Sequence, residues 1–132
     1  MATTEAATAR EAITATVQQY IDGASSGDAA KLKDAFHPDA WMFGSVGGQR
    51  MDMPITQMID LVVEQPLGSG GAYEARITSI EQEGDAATVR LEETGAWGSV
   101  SFVDFFSLAQ IDGSWKIVGK TFVHTGGELP GT

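Results

Sequence analysis

The stretch SFVDFFSLAQIDGSWKIVGKTFV, residues 101–123, decides the fold class. It is rich in aromatic and β-branched residues on both sides of the dipeptide Asp112-Gly113. Such runs are typical of strands, in which side chains point to alternate faces, and Asp-Gly is typical of a two-residue turn between antiparallel strands. We therefore predict a hairpin of two strands, residues 99–111 and 114–125.

The same period of two extends upstream of this hairpin. Residues 72–82 and 86–95 alternate in the same way, and Gly84-Asp85 between them supplies a second tight turn. The four segments together predict an antiparallel meander. An additional short strand is expected at residues 40–44.

The first half of the chain has a helical period instead. Apolar residues recur at spacings of three and four in residues 5–25, with the stripe Ile13, Val17, Tyr20 and Ala24. A second helix is expected at 29–36 with Asp28 as its N-cap. A third is expected to begin after Asp52, with Asp52 as N-cap, Pro54 in its first turn and the apolar stripe Ile55, Met58, Ile59 and Val62.

Helices followed by a meander define an α+β fold, in which about three helices pack on a curved antiparallel sheet. A chain of 132 residues has the usual length of one domain, so we assign residues 1–132 to a single domain.

Composition excludes several classes of function. Asp and Glu number 18 against 8 Lys and Arg, a net charge of −10 that repels nucleic acid and anionic membrane surfaces. The sequence has no cysteine, so it can form neither a disulfide nor a thiolate metal site. It also has no apolar run long enough to span a bilayer, and we expect a cytoplasmic protein. Two distant histidines make a metal site improbable: His37 is expected at a helix C-terminus, and His124 on an outer surface.

The register of the last hairpin places a carboxylate in the interior. With Asp112-Gly113 as the turn, pairing predicts Leu108 opposite Ile117, Asp104 opposite Thr121, and Phe102 opposite Val123, all facing the helices. Lys116 and Lys120 then face outward. Burial raises the pKa of a carboxyl group, which suits Asp104 to proton transfer near neutral pH. A purely structural role, in which hydrogen bonds hold Asp104 in the core, is an equal alternative.

The opposite face of the hairpin is also apolar, since Val103, Phe105, Val118 and Phe122 lie beside the two lysines. We expect it to pack on a second copy of the chain in a homodimer. Cover by the C-terminal segment, which we expect to be a loose tail over 125–132, is the alternative.

Two blocks of sequence resemble a known superfamily. The segments YIDG at 20–23 and FHPDA at 36–40 are similar to the opening of nuclear transport factor 2-like proteins, and DFFSL at 104–108 with IDGSWKIV at 111–118 resembles their closing hairpin. The chain is most similar to the lumazine-binding branch of that superfamily. The resemblance covers about residues 10–125 and implies a cone-shaped α+β barrel with a pocket between the sheet and the first helix, usually in a dimer.

Relatives that share this cone include ketosteroid isomerase, scytalone dehydratase, limonene epoxide hydrolase, polyketide cyclases, and plain binding or transport proteins. The resemblance implies a cofactor-independent enzyme of isomerase, dehydratase or cyclase type acting on a small apolar or aromatic molecule, with Asp104 moving the proton and Tyr20 donating to an oxyanion. The expected pocket residues are Trp41, Phe43, Met58, Trp97, Phe102, Phe106 and Thr121. A non-catalytic protein that binds an aromatic or heterocyclic molecule is the second hypothesis, and a protein-interaction domain the third.

Overall fold

The computed structural model describes residues 2–129, with side chains from residue 7 onward. Among these residues the helices are α1 (Ala2–Ser26), α2 (Ala29–Ala35) and α3 (Ile55–Glu64), and a 3₁₀ turn (Leu67–Gly70) follows α3. The strands are β1 (Phe36–Val46), β2 (Gln49–Arg50), β3 (Met53–Pro54), β4 (Glu74–Glu83), β5 (Ala86–Ala96), β6 (Val100–Ile111) and β7 (Ser114–Gly126). The predicted α+β fold is confirmed.

The helices pack on the sheet through the stripes that their sequences predict. Ile13, Val17, Tyr20 and Ala24 of α1 are all buried, as are the four predicted residues of α3. Asp28 caps α2 as expected, because its Oδ1 accepts hydrogen bonds from two backbone N–H groups, at 3.0 and 3.2 Å.

The prediction that Asp52 caps α3 is wrong. Pro54 precedes the helix and makes no side-chain cap. Asp52 instead accepts a hydrogen bond from the Gly44 N–H at 3.1 Å and forms an ion pair with Arg50. It therefore fixes the loop that joins β1 to β3.

The strands form one sheet in the order β2-β1-β7-β6-β5-β4, with β3 also paired to β1. All described pairings are antiparallel except β1 with β7, which is parallel. The predicted meander of β4 to β7 is confirmed. The short strand expected at 40–44 is longer, because its pairing with β7 extends it to Phe36–Val46.

The predicted register of the β6–β7 hairpin holds only as far as Leu108 opposite Ile117. Beyond that pair β7 contains an extra residue, Val118, so that Ser107 pairs with Gly119. A bulge of this kind exchanges the two faces of the strand beyond it. Asp104 therefore lies opposite Phe122 rather than Thr121, and Phe102 opposite His124 rather than Val123.

The expectation of a loose C-terminal tail is also wrong in part. β7 continues to Gly126, and Leu129 packs against the core. Residues 130–132 lie outside the described residues. Within residues 2–129, no helix combines the length and the apolar character needed to cross a bilayer.

Candidate active site

A cavity of about 420 Å³ lies between the helices and the sheet. Its volume is within the range of small-molecule sites, roughly 300–1,000 Å³. Its walls are mostly apolar, and its lining residues are Tyr20, Met42, Val46, Met51, Met58, Leu61, Val62, Glu64, Gln65, Leu67, Glu93, Trp97, Phe102, Asp104, Lys120, Phe122 and Leu129. The cavity has the size and lining for a small apolar molecule.

Four ionisable side chains meet inside this cavity, each from a different element. Tyr20 comes from α1, Glu93 from β5, Asp104 from β6 and Lys120 from β7. Tyr20, Glu93 and Asp104 are each 1% exposed, and Lys120 is 8% exposed. We call these four residues the polar cluster.

The Tyr20 hydroxyl is the centre of the polar cluster. Its oxygen lies 3.3 Å from Glu93 Oε2 and 3.4 Å from Asp104 Oδ2, and Lys120 Nζ donates to it at 3.1 Å. A hydroxyl has one proton to donate, so Tyr20 serves one carboxyl group at a time while it accepts from the amine.

Burial holds both tyrosines near the cluster in the hydroxyl form. The pKa of Tyr20 is raised well above its ordinary value, first by burial and then by the charge of Glu93. Tyr73, whose hydroxyl donates to Glu93 Oε2, has a raised pKa for the same two reasons. Both phenols therefore act as proton donors in hydrogen bonds rather than as phenolates.

The surroundings of Asp104 raise the pKa of its carboxyl group. Burial raises the pKa of Asp104 most, and the charge of Glu93 and a hydrogen bond between the two carboxyl groups raise it further. Lys120 and the Tyr20 hydroxyl act in the opposite direction. A carboxyl group beside a second carboxyl group resists a further negative charge, which adds to the effect of burial on Asp104.

The amine of Lys120 faces aromatic rings as well as the tyrosine hydroxyl. Nζ lies 5.1 Å from the centre of the Tyr20 ring and 5.4 Å from that of Phe122. The four ion pairs found among residues 7–129 do not include this lysine. Among the side chains that the structure describes, the Tyr20 hydroxyl is the one hydrogen-bond partner of this amine.

The structure brings five of the nine predicted site residues together around the cavity: Tyr20, Met58, Trp97, Phe102 and Asp104. Phe106 faces the same way but packs its ring edge-on against Tyr20, at 5.1 Å, and does not line the cavity.

Three predicted pocket residues lie on the other face of the sheet. Trp41 and Phe43 are 48% and 47% exposed, because Met42 between them points to the core. Thr121 is exposed because the bulge at Val118 reverses its side chain. Their predicted position in the pocket wall is wrong.

Glu93 and Lys120 were missed by the sequence analysis. Glu93 shares its strand face with the apolar Val89 and Leu91, and this two-residue spacing could have predicted that Glu93 faces the interior. Lys120 was assigned to the outer face because nothing in the sequence marks the bulge at Val118.

The histidines lie outside the polar cluster. His37 is in β1 rather than at a helix C-terminus, and its Nδ1 accepts a hydrogen bond from the Asp39 N–H at 3.0 Å. The bulge turns His124 to the same side as Lys120, not outward as predicted, and its Nδ1 accepts from the Gly47 N–H at 3.2 Å. In the part of the chain that the structure describes, no three His, Asp or Glu residues are grouped as metal ligands would be.

This arrangement of helices and curved sheet around a cavity defines the nuclear transport factor 2-like, or NTF2-like, class of proteins. A family profile described as "Putative lumazine-binding" matches residues 8–123. The chain belongs to this family of NTF2-like proteins.

Three similar proteins illustrate the relationship. An NTF2-like protein from Methylobacillus flagellatus KT is 33% identical with a TM-score of 0.78, over 87% of this chain and 90% of that one. An NTF2-like protein from Shewanella baltica OS155 is 26% identical with a TM-score of 0.80, over 90% and 95%. "Aldolase FrzH" from Cladobotryum sp is 29% identical over 112 residues, covering 85% of this chain and 88% of that protein. Together with the cavity, these similarities support a role in binding or converting a small molecule.

Proposed function

We propose that the protein is an acid–base enzyme that moves a proton at a carbon atom next to a carbonyl group of a small apolar molecule. The observation that carries this proposal is the polar cluster: a buried carboxyl group, Asp104, whose pKa is raised, beside Glu93 and the Tyr20 hydroxyl. The cluster opens into a cavity whose other walls are largely apolar.

The cluster contains the two groups that such a proton transfer needs. The Asp104 carboxylate takes the proton from carbon. The Tyr20 hydroxyl donates a hydrogen bond to the carbonyl oxygen as negative charge develops there. A carboxyl group with a raised pKa is a stronger base than an ordinary aspartate, which makes it effective near neutral pH.

The similarity to a protein named as an aldolase supports the same chemistry. Aldol reactions, isomerisations and many cyclisations begin with the removal of a proton next to a carbonyl group. We therefore propose enolisation in general, of which the predicted isomerase, dehydratase and cyclase reactions are examples. A carboxylate base and a hydroxyl donor can carry out that step without a cofactor.

Exchange of α-hydrogen for deuterium tests the proposal without knowledge of the natural substrate. Cyclohexanone is incubated with the protein in D₂O, and the loss of its α-proton signals is followed by NMR. We expect exchange above the buffer rate, reduced at least about 100-fold by Asp104→Asn. Asp112→Asn, the same change in the exposed β6–β7 turn, is the matched control. Equal exchange by wild type and Asp104→Asn would refute the proposal.

A binding protein without chemistry is the second candidate, and the aromatic rings of the cavity favour it. The Phe102 ring lies edge-on to Trp97 at 6.1 Å and to Phe122 at 5.7 Å, and such rings stack readily on a flat heterocycle. The family's description points to the same ligand class. Quenching of tryptophan fluorescence by lumazine, with no deuterium exchange in cyclohexanone, would favour this candidate.

We also propose a homodimer formed through the outer face of the sheet. Trp41, Phe43, Phe105 and Val123 are each 47–49% exposed on that face, which is unusually apolar for a surface in water. Sedimentation should give twice the chain mass of 13.9 kDa. Phe43→Ser should lower the dimer fraction, whereas Ile111→Ser, a change to an exposed residue at the sheet end, should not.

The cysteine-free composition is the basis of the predicted cytoplasmic location.

A further inference from the structure

We infer that Lys120 is a nucleophile that holds a carbonyl substrate as an imine during the reaction. The inference rests on the proposed function, because it concerns the same cavity and the same proton at carbon. It adds a covalent step and restricts the substrate to aldehydes and ketones.

The position of the amine is the first support. Lys120 lines the cavity although only 8% of the residue is exposed, so its amine is within reach of a ligand in the cavity while little of the residue contacts bulk water. The other three lysines have different surroundings. Lys31 and Lys33 are exposed on α2, and Lys116 donates to the backbone oxygen of Asp34 at 2.6 Å.

The polar cluster provides a route for the proton that the amine must lose. Lys120 Nζ donates to the Tyr20 oxygen at 3.1 Å, and the Tyr20 hydroxyl lies 3.4 Å from Asp104 Oδ2 and 3.3 Å from Glu93 Oε2. A proton passed along this chain converts an ammonium group and a carboxylate into a free amine and a carboxylic acid. Only a free amine has the lone pair that attacks a carbonyl carbon.

The remaining steps balance within the same groups. The amine adds to the carbonyl carbon and gives a carbinolamine, with a new C–N bond and a hydroxyl group. The carboxylic acid returns its proton to that hydroxyl, which leaves as water and generates the protonated imine. The carboxylate then takes a proton from the adjacent carbon, and the C–H electron pair moves toward the imine nitrogen to give an enamine. No oxidant or reductant is consumed.

An imine at Lys120 would make the removal of a proton by the adjacent carboxylate easier. A protonated imine withdraws electrons from the adjacent carbon more strongly than a neutral ketone does. The carbon acid is therefore easier to deprotonate. In this role Lys120 would touch the substrate, whereas Tyr20 relays the proton and positions the amine.

Pentane-2,4-dione tests the inference directly. A 1,3-diketone condenses with an accessible amine and then tautomerises to a stable conjugated enaminone, so no reductant is needed. We expect wild-type protein to gain one diketone minus one water, mapped by peptide mass spectrometry to Lys120, at least about tenfold faster than at any other lysine. Lys116→Arg should react like wild type, and Lys120→Arg should not form the rapid adduct.

Adducts spread evenly over the lysines, or an equally rapid adduct in Lys120→Arg, would overturn the inference. Deuterium exchange in cyclohexanone separates it from the proposed function. Undiminished exchange in Lys120→Arg would overturn the covalent step and leave the carboxyl base in place. Undiminished exchange in Asp104→Asn would refute the proposed function itself. Because adduct formation is mapped in the wild-type protein, a variant that fails to fold does not prevent a decision.

Discussion

Replacing Asp104 by asparagine should change how the stability of the protein depends on pH. Burial and the neighbouring Glu93 raise the pKa of Asp104. The folded protein therefore keeps a proton at pH values where the unfolded chain, with an aspartate pKa of about 3.9, has released it. One retained proton makes the free energy of unfolding fall by up to about 1.4 kcal/mol for each pH unit.

The sign of this effect follows from the direction of the shift. The stability contributed by the protonated carboxyl group is complete below about pH 4, and it is lost as the pH rises through the raised pKa of Asp104. An asparagine carries no titrating proton, and its amide can still hydrogen-bond with Glu93. Relative to wild type, the variant should therefore gain up to about 1.4 kcal/mol per pH unit above pH 4. At pH 7 it should be as stable as wild type or more stable.

Urea unfolding followed by tryptophan fluorescence at pH 5, 6, 7 and 8 measures this difference. Other carboxylates contribute to both proteins, so the quantity of interest is the variant's stability minus that of wild type at each pH. Asp112→Asn in the exposed turn shows the effect of the same substitution away from the cavity. A difference that stays constant from pH 5 to 8 would show that Asp104 keeps no proton in the folded protein.

Three further substitutions test other parts of the structure. Tyr20→Phe keeps the buried ring but removes a hydroxyl group that is hydrogen-bonded to charged partners. The substitution should lower the free energy of unfolding by about 1.5–3 kcal/mol, with the largest loss at high pH. It should also slow deuterium exchange about 100-fold. Gly44→Ala would place a Cβ 2.5 Å from the Phe122 ring and should lower the free energy of unfolding by about 1–3 kcal/mol. Gly119→Ala is the control, because its Cβ would lie 4.0 Å from its nearest neighbour and has room. Equal losses of stability in urea unfolding would contradict this expectation. Trp97→Phe removes the 3.0 Å hydrogen bond to the backbone after α3 and should cost about 1 kcal/mol; unchanged amide hydrogen exchange at the end of α3 would show that this bond does not hold the cavity rim.

Features with a local cause could be predicted from the sequence. The α1 stripe and the β6 residues that face the helices follow from periods of 3.6 and 2, which depend only on neighbouring residues. Asp104 was placed inside in this way, and the structure has it 1% exposed. Glu93 follows from the same rule applied to β5, where it continues the inward face of Val89 and Leu91.

Features set by pairing between distant strands could not be predicted. The bulge at Val118 depends on how β7 meets β6, and it alone decides that Lys120 enters the cavity while Thr121 leaves it. Trp41 and Phe43 were expected in the pocket because they are aromatic. The parallel pairing of β1 with β7 instead fixes which side of that strand faces the core, and it turns both residues outward.

The contact between Tyr20 and Lys120 joins groups separated by 100 positions in the chain. β7, the last strand, lies in the sheet between β1 and β6, so it also completes the pairing of both neighbours. During synthesis the polar cluster therefore cannot form until β7 has left the ribosome. Fragments that end before β7 would lack Lys120, and would expose apolar helix faces to chaperones and proteases.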